Sequence, residues 1–149
     1  MGSHPYWYLE NYDGDVKSSL ESLRDREFRA GRYYPVISHL SFPLGAHPPS
    51  PGAQHPAIED ALAEAAQDGT GTRSILDLDH VSDVPDVFAV APLSVEELGQ
   101  LYGTTTPTRE MVEKNLDFLG SIDRGQGVYI LLYEDGRPEQ ILFAGYSFD

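Results

Sequence analysis

The densest chemistry in this chain is Asp77, Asp79 and His80, two carboxylates and an imidazole within four positions. These types suit a metal ion or acid–base work. If residues 74–81 are extended, however, Asp77 and Asp79 point to one side and His80 to the other, so the three meet only across a turn. Two carboxylates sharing one buried face would raise the pKa of one of them, as in an acid–base pair. His39, His47 and His55 recur at intervals of eight residues, which matches no ligand spacing such as H-E-x-x-H. The chain has no G-x-S-x-G turn to expose a nucleophilic serine. Gly69-Thr-Gly71 lacks the lysine and strand-to-helix setting of a phosphate loop, and Gly125-Gln-Gly127 leads into a strand pattern. With no cysteine, a disulfide framework, a thiolate metal site and a cysteine nucleophile are excluded. These residues assign no reaction, no metal and no cofactor.

Charge says more. The formal net charge is −14, and residues 54–100 carry ten Asp and Glu against one basic residue, Arg73. Such a field repels phosphate backbones and attracts cationic surfaces. The basic residues Lys17, Arg24, Arg26, Arg29 and Arg32 near the N-terminus are interleaved with six acidic ones, so no basic stripe forms and direct nucleic-acid binding is not expected. The first functional expectation is therefore an acidic protein-interaction module, such as an inhibitor, antitoxin or immunity-type protein that covers a basic surface of a partner. Asp77, Asp79, Asp83, Asp86, Glu96 and Glu97 are its candidate contact residues.

A second expectation comes from the aromatic residues. Tyr and Trp combine apolar area with a polar tip, and most fall on strand-like segments. Trp7, Tyr8 and Tyr129, with His39 and His80, would line a pocket between a sheet and the proline-rich loop 42–55, as in a small-molecule-binding domain or a modest enzyme.

The elements that must position these groups are mostly readable. The 149 residues, 40% of them apolar, suffice for one core and one domain over 1–149, with residues 1–4 read as a vector remnant. Residues 5–9 read as a strand, and 15–30 as a helix capped by Asp15 and ended by Gly31. Residues 33–40 suggest a second short strand, and 42–55 hold too many prolines and glycines for any regular element. A helix follows from Pro56 to near Gly69, then a strand over 74–81 with helix as the competing reading. Ser94 and Glu97 form a capping box, with Leu93 and Leu98 as a hydrophobic staple, and Gly103 ends that helix. Thr106-Pro107 opens a further helix to about Arg124. Residues 128–133 and 141–148 flank Asp135-Gly136, a type I′ hairpin signal, and their two apolar faces indicate strands covered on both sides. The predicted architecture is α+β, a mainly antiparallel sheet with a C-terminal β-hairpin and about four helices. No run is long enough to span a membrane and no signal-peptide pattern opens the chain, so a soluble, cytoplasmic protein is expected.

Overall fold

A computed structural model describes residues 3–38, 42 and 48–149. Five strands, β1 (Pro5–Asn11), β2 (His80–Val81), β3 (Ala89–Pro92), β4 (Gly127–Glu134) and β5 (Arg137–Tyr146), form one sheet in the order β1-β5-β4-β3-β2. The β1/β5 and β5/β4 pairs are antiparallel, whereas β4/β3 and β3/β2 are parallel. The sheet is thus mixed, which corrects the expectation of a mainly antiparallel one. The parallel β3/β4 pair is possible because the connection between its strands carries α3 (Val95–Tyr102) and α4 (Arg109–Lys114), long enough to return the chain to the same end.

The hairpin follows its turn chemistry. Asp135 and Gly136 both take positive φ, 52° and 78°, as a type I′ turn requires. The strand period then sends Val128, Ile130 and Leu132 to one face and Tyr129 and Leu131 to the other. Both faces are covered. On the first, α3, α4 and the 3₁₀ turn Asp117–Ser121 bring Leu98, Val112 and Phe118 against Ile130, Leu132 and Leu142. On the second, α1 (Val16–Ala30), α2 (Ile58–Gln67) and the 3₁₀ turn Ile75–Asp77 bury Leu20, Leu23, Ala61 and Ile75 against Tyr6, Tyr8, Ile141 and Phe143.

Helix α1 starts at Asp15, whose side chain accepts from the Ser18 N–H at 3.0 Å, and ends at Gly31 with φ 74°. That glycine is also required by packing, because a Cβ there would collide with the Gly52 carbonyl oxygen. Residues 48–55 are docked on this end of α1: the Gly52 and Ala53 N–H groups donate to Ala30 and Arg29 carbonyls, and the Tyr33 hydroxyl pairs with His55 Nδ1 at 2.8 Å. The N–H of Gly52 thereby satisfies one of the helix's orphan carbonyls. Inside α1, Glu27 is fully buried and held by Arg32 Nε at 2.8 Å, Arg32 Nη2 at 2.6 Å and Arg26 Nε at 3.0 Å.

Three local expectations are corrected. Residues 33–38 form turns, with the Ile37 N–H donating to the Tyr33 carbonyl, and residues 39–40 of that expected strand lie outside the described residues. Residues 74–81 are not one strand: the Ser74 hydroxyl accepts from the Leu76 N–H and caps a 3₁₀ turn, leaving only His80–Val81 to pair. The helix expected from Thr106 starts later, capped by Thr108, and stops at Lys114.

Candidate functional site

Strand β2 forms one edge of the sheet and reaches β3 through the loop 82–88, Ser-Asp-Val-Pro-Asp-Val-Phe. Its backbone is pinned at the returning end, where the Phe88 N–H donates to the Gly125 carbonyl and the Phe88 carbonyl accepts from the Asp79 N–H, both at 2.8 Å. These bonds hold Phe88 at φ 65°, the left-handed region that a bulky side chain rarely occupies. Strain of this kind costs on the order of 1–3 kcal/mol and concentrates at functional positions. Phe88 is 47% exposed, and its ring tilts against Phe148, centroids 5.4 Å apart. Val84 and Val87 on the same loop are 65% and 40% exposed, and Asp83 and Asp86 beside them are exposed as well.

The candidate contact residues separate by environment. Asp79, Asp83, Asp86 and Glu96 lie on the surface. Asp79 pairs with the neighbouring His80 Nδ1 at 2.6 Å. Glu97 is part of the α3 cap: its N–H donates to the Ser94 hydroxyl, which in turn bonds the Glu97 carboxylate. Glu96 shares that helix's first turn, where negative charge offsets the macrodipole. Asp77 is not on the surface at all. It is 5% exposed, with Oδ1 accepting from the Thr72 N–H and hydroxyl, both at 2.8 Å, while Oδ2 is buried without a partner. Burial pushes its carboxyl above the ordinary aspartate range, a rise opposed by the Thr72 bonds, the Arg73 N–H and the Arg24 guanidinium.

Arg24 acts electrostatically on Asp79 and Glu59, but most of the exposed acids of the acidic stretch have no arginine paired with them. Among the described residues, no lysine or arginine forms an ion pair with Glu59, Asp60, Asp83, Asp86 or Glu96. Arg73 pairs with Asp149 and stacks 4.6 Å over the Tyr34 ring. Arg24 donates to the Leu76 carbonyl at 2.8 Å.

The residues of the pocket expectation do not converge. Trp7 and Tyr8 are on β1 and His80 on β2, opposite edges of five strands, about 19 Å apart at the usual strand spacing. Tyr129 lies on the α1 side of the central strand β4, packed on Phe143, and His39 lies outside the described residues. Trp7 and Tyr8 instead border a 540 Å³ cleft formed with Leu9, Leu132, Leu142 and helix α4. Of the expected loop 42–55, Phe42 does pack on Trp7 and Tyr8, with ring centroids 6.2 and 5.2 Å apart, but no described residue of that loop lines the cleft. A second cleft of 400 Å³ lies at the other edge, where Leu62 and Ala66 of α2 face Phe88 and Phe148, with Asp77 and Asp79 among its walls.

Sequence reasoning found the acids of this edge but not Val84, Val87, Phe88, Gly71 or Phe148. Its available signal was the apolar Val-Pro-Asp-Val-Phe run inside the most acidic stretch. Among the described residues, no three His, Asp or Glu side chains gather as metal ligands. Compared with family models, with characterised proteins and with solved structures, the chain gives no significant match.

Proposed function

We propose that the protein is an acidic interaction module that binds a basic protein surface through the loop 82–88 and the carboxylates around it. The observation that carries this reading is the loop's composition at the surface. The exposed large hydrophobic side chains among the described residues are Val84, Val87, Phe88, Val95 and Met111, and three of them fall within five positions of one loop, interleaved with Asp83 and Asp86. An apolar centre with a charged rim is the anatomy of a protein interface, and an aromatic side chain is a common anchor in one. Solubility alone accounts for the charge but not for the apolar residues set in it.

The rim would steer a cationic partner and raise its association rate roughly 10- to 1000-fold. Carboxylates presented this way can occupy positions that phosphates take on a nuclease or other basic enzyme, which is the sense of an inhibitor, antitoxin or immunity-type role. The test begins by isolating and identifying a partner from the source cell at low salt, then measures binding with both proteins purified. Association should slow about tenfold or more between about 0.05 and about 0.5 M salt, and likewise in Asp83→Asn/Asp86→Asn. Val84→Ser/Val87→Ser should speed dissociation instead. Rates indifferent to salt and to both double substitutions would refute the reading.

The 540 Å³ cleft beside β1 supports a second reading, a small-molecule site, because its volume lies within the range of ligand pockets, about 300–1,000 Å³. Trp7, the chain's single tryptophan, borders that cleft. Saturable quenching or a shift of its fluorescence with a metabolite panel would support a ligand there, and an unresponsive spectrum would count against one.

A further inference from the structure

The 400 Å³ cleft at the β2 edge has a carboxylate in its wall with one oxygen unused. Asp77 closes the 3₁₀ turn Ile75–Asp77, and its Oδ1 is fully engaged by Thr72. Oδ2 points toward Gly71 and Phe148: a Cβ built on Gly71 would stand 2.6 Å from Oδ2 and 2.9 Å from Phe148 Cδ2. Both of those residues line the cleft, and a side chain at 71 would fill the space against the carboxylate. A buried charged acceptor without a partner is costly, and a donor that carries positive charge is what removes that cost.

We infer that this cleft receives the ammonium or guanidinium end of a lysine or arginine side chain supplied by the partner, an inference that rests on the acidic-interaction reading above. Its surroundings suit such an occupant at every part. Oδ2 of Asp77 offers the pairing oxygen, and the exposed Asp79 carboxylate adds a second negative charge among the lining residues. Helix α2 ends beside the cleft, where Ala66 and Gly69 contribute to the wall. That carbonyl end is the negative pole of the helix, and no basic residue in the last turn compensates it. Leu62 and Ala66 would take the aliphatic stem, as apolar surface does for buried lysine and arginine stems. Phe88 and Phe148, whose rings pack against each other, bring aromatic side chains into the lining, a favourable setting for a cation. No lysine or arginine of the chain lines the cleft among the described residues, and the guanidinium that acts on both Asp77 and Asp79, Arg24, is held by the Leu76 carbonyl. Burial raises the Asp77 carboxyl, so the same pairing would also favour its ionised form.

The test uses the full chain and a blocked amino acid, N-acetyl-arginine-N-methylamide, against its neutral isostere N-acetyl-citrulline-N-methylamide, followed by ¹⁵N–¹H spectra at neutral pH and low salt. The arginine compound should shift the amides of Gly71, Phe88 and Phe148 saturably with Kd on the order of 1 mM, and the citrulline compound should bind about tenfold more weakly or not at all. Asp77→Asn, which retains the Oδ1 acceptor for Thr72, should weaken arginine binding about tenfold or more. Phe88→Ala removes an exposed ring and provides a second variant that does not depend on how Asn is tolerated in the interior; it should weaken binding severalfold. With the purified partner, Asp77→Asn should again cost about tenfold or more in affinity. Equal shifts from arginine and citrulline, unaltered binding in Asp77→Asn, or a partner affinity indifferent to that substitution would overturn the inference. If partner binding then still depended on Asp83 and Asp86, the cleft would fall while the surface stood. If it depended on none of the three, both readings would fall together.

Discussion

Gly69 and Gly71 provide a matched pair of perturbations at the cleft. Their φ angles are nearly equal, +72° and +65°, so alanine at either position meets a left-handed backbone strain of about 1–2 kcal/mol. They differ in surroundings. A Cβ on Gly69 finds nothing within 4 Å, whereas one on Gly71 meets Asp77 Oδ2 at 2.6 Å and Phe148 Cδ2 at 2.9 Å. Both contacts are closer than a real Cβ tolerates, so the Phe148 ring must move and the Asp77 carboxyl must turn. Turning it endangers two bonds from Thr72, each to a charged acceptor and each worth about 1.5–3 kcal/mol. We therefore expect Gly69→Ala to cost about 1–2 kcal/mol and Gly71→Ala about 2.5–5 kcal/mol, one bond's worth more. For a chain of this length 1 kcal/mol corresponds to about 2–4 °C, so their melting temperatures should differ by about 3–12 °C. Calorimetry gives the midpoints, and urea unfolding followed by Trp7 fluorescence gives the free energies. Coincident midpoints would refute the argument, since they would show that the Asp77 carboxyl is not seated against residue 71.

Removing the partner of a buried charge should be severe elsewhere too: Arg32→Met leaves the fully buried Glu27 with Arg26 alone and should cost about 3–5 kcal/mol in urea unfolding, where a loss under about 1 kcal/mol would contradict the buried pair. Asp77 makes stability depend on pH with a definite sign. Its folded value lies above the ordinary 3.8, so its stabilising contribution is complete below the unfolded value and is lost as pH rises through the raised folded one. Asp77→Asn does not titrate there, while the neighbours Tyr6, Tyr8 and Arg24 remain in both proteins. The stability of that variant relative to wild type should therefore increase from about pH 3 to pH 7, and a difference independent of pH would be inconsistent with the burial. Finally, Val84→Ser/Val87→Ser should leave the unfolding free energy of the isolated protein within about 0.5 kcal/mol, because both side chains are open to solvent. A larger loss would mean that they are packed within the fold and not free to dock.

What could be read from the sequence was what short-range chemistry decides. Asp135-Gly136 demands its turn, Asp15 and Gly31 bracket α1, and the Ser94–Glu97 box opens α3, because each device acts within a few residues. The misreadings have long-range causes. Strand β3, Ala89–Pro92, is too short to show a period, and both its pairing and its parallel sense are set by β4, more than thirty positions later. Residues 74–81 alternate like a strand, but the Ser74 cap and the Thr72 donors to Asp77 favour a turn that periodicity cannot reveal. The same turn removes Asp77 from the open surface, so a count of carboxylates placed it in the acidic stretch but could not show that it is buried in the wall of a cleft.

The proposed interface therefore depends less on total charge than the net value of −14 suggests. Glu96 and Glu97 stabilise the start of α3, and Glu64 faces His55; local structure gives each of these a reason to be acidic. In the loop 82–88, Asp86 accepts from the Val87 N–H at 2.8 Å, but no such bond accounts for Asp83 or for the exposed apolar side chains. Folding would favour burying Val84, Val87 and Phe88 and giving residue 88 a glycine, yet the chain exposes all three and holds a phenylalanine at φ 65° with two backbone bonds. These are costs to the isolated protein that contact with a partner would recover, by burying the two valines and covering the ring. A partner is needed most where the fold alone explains the residues least, at the edge that joins this loop to the unpartnered oxygen of Asp77.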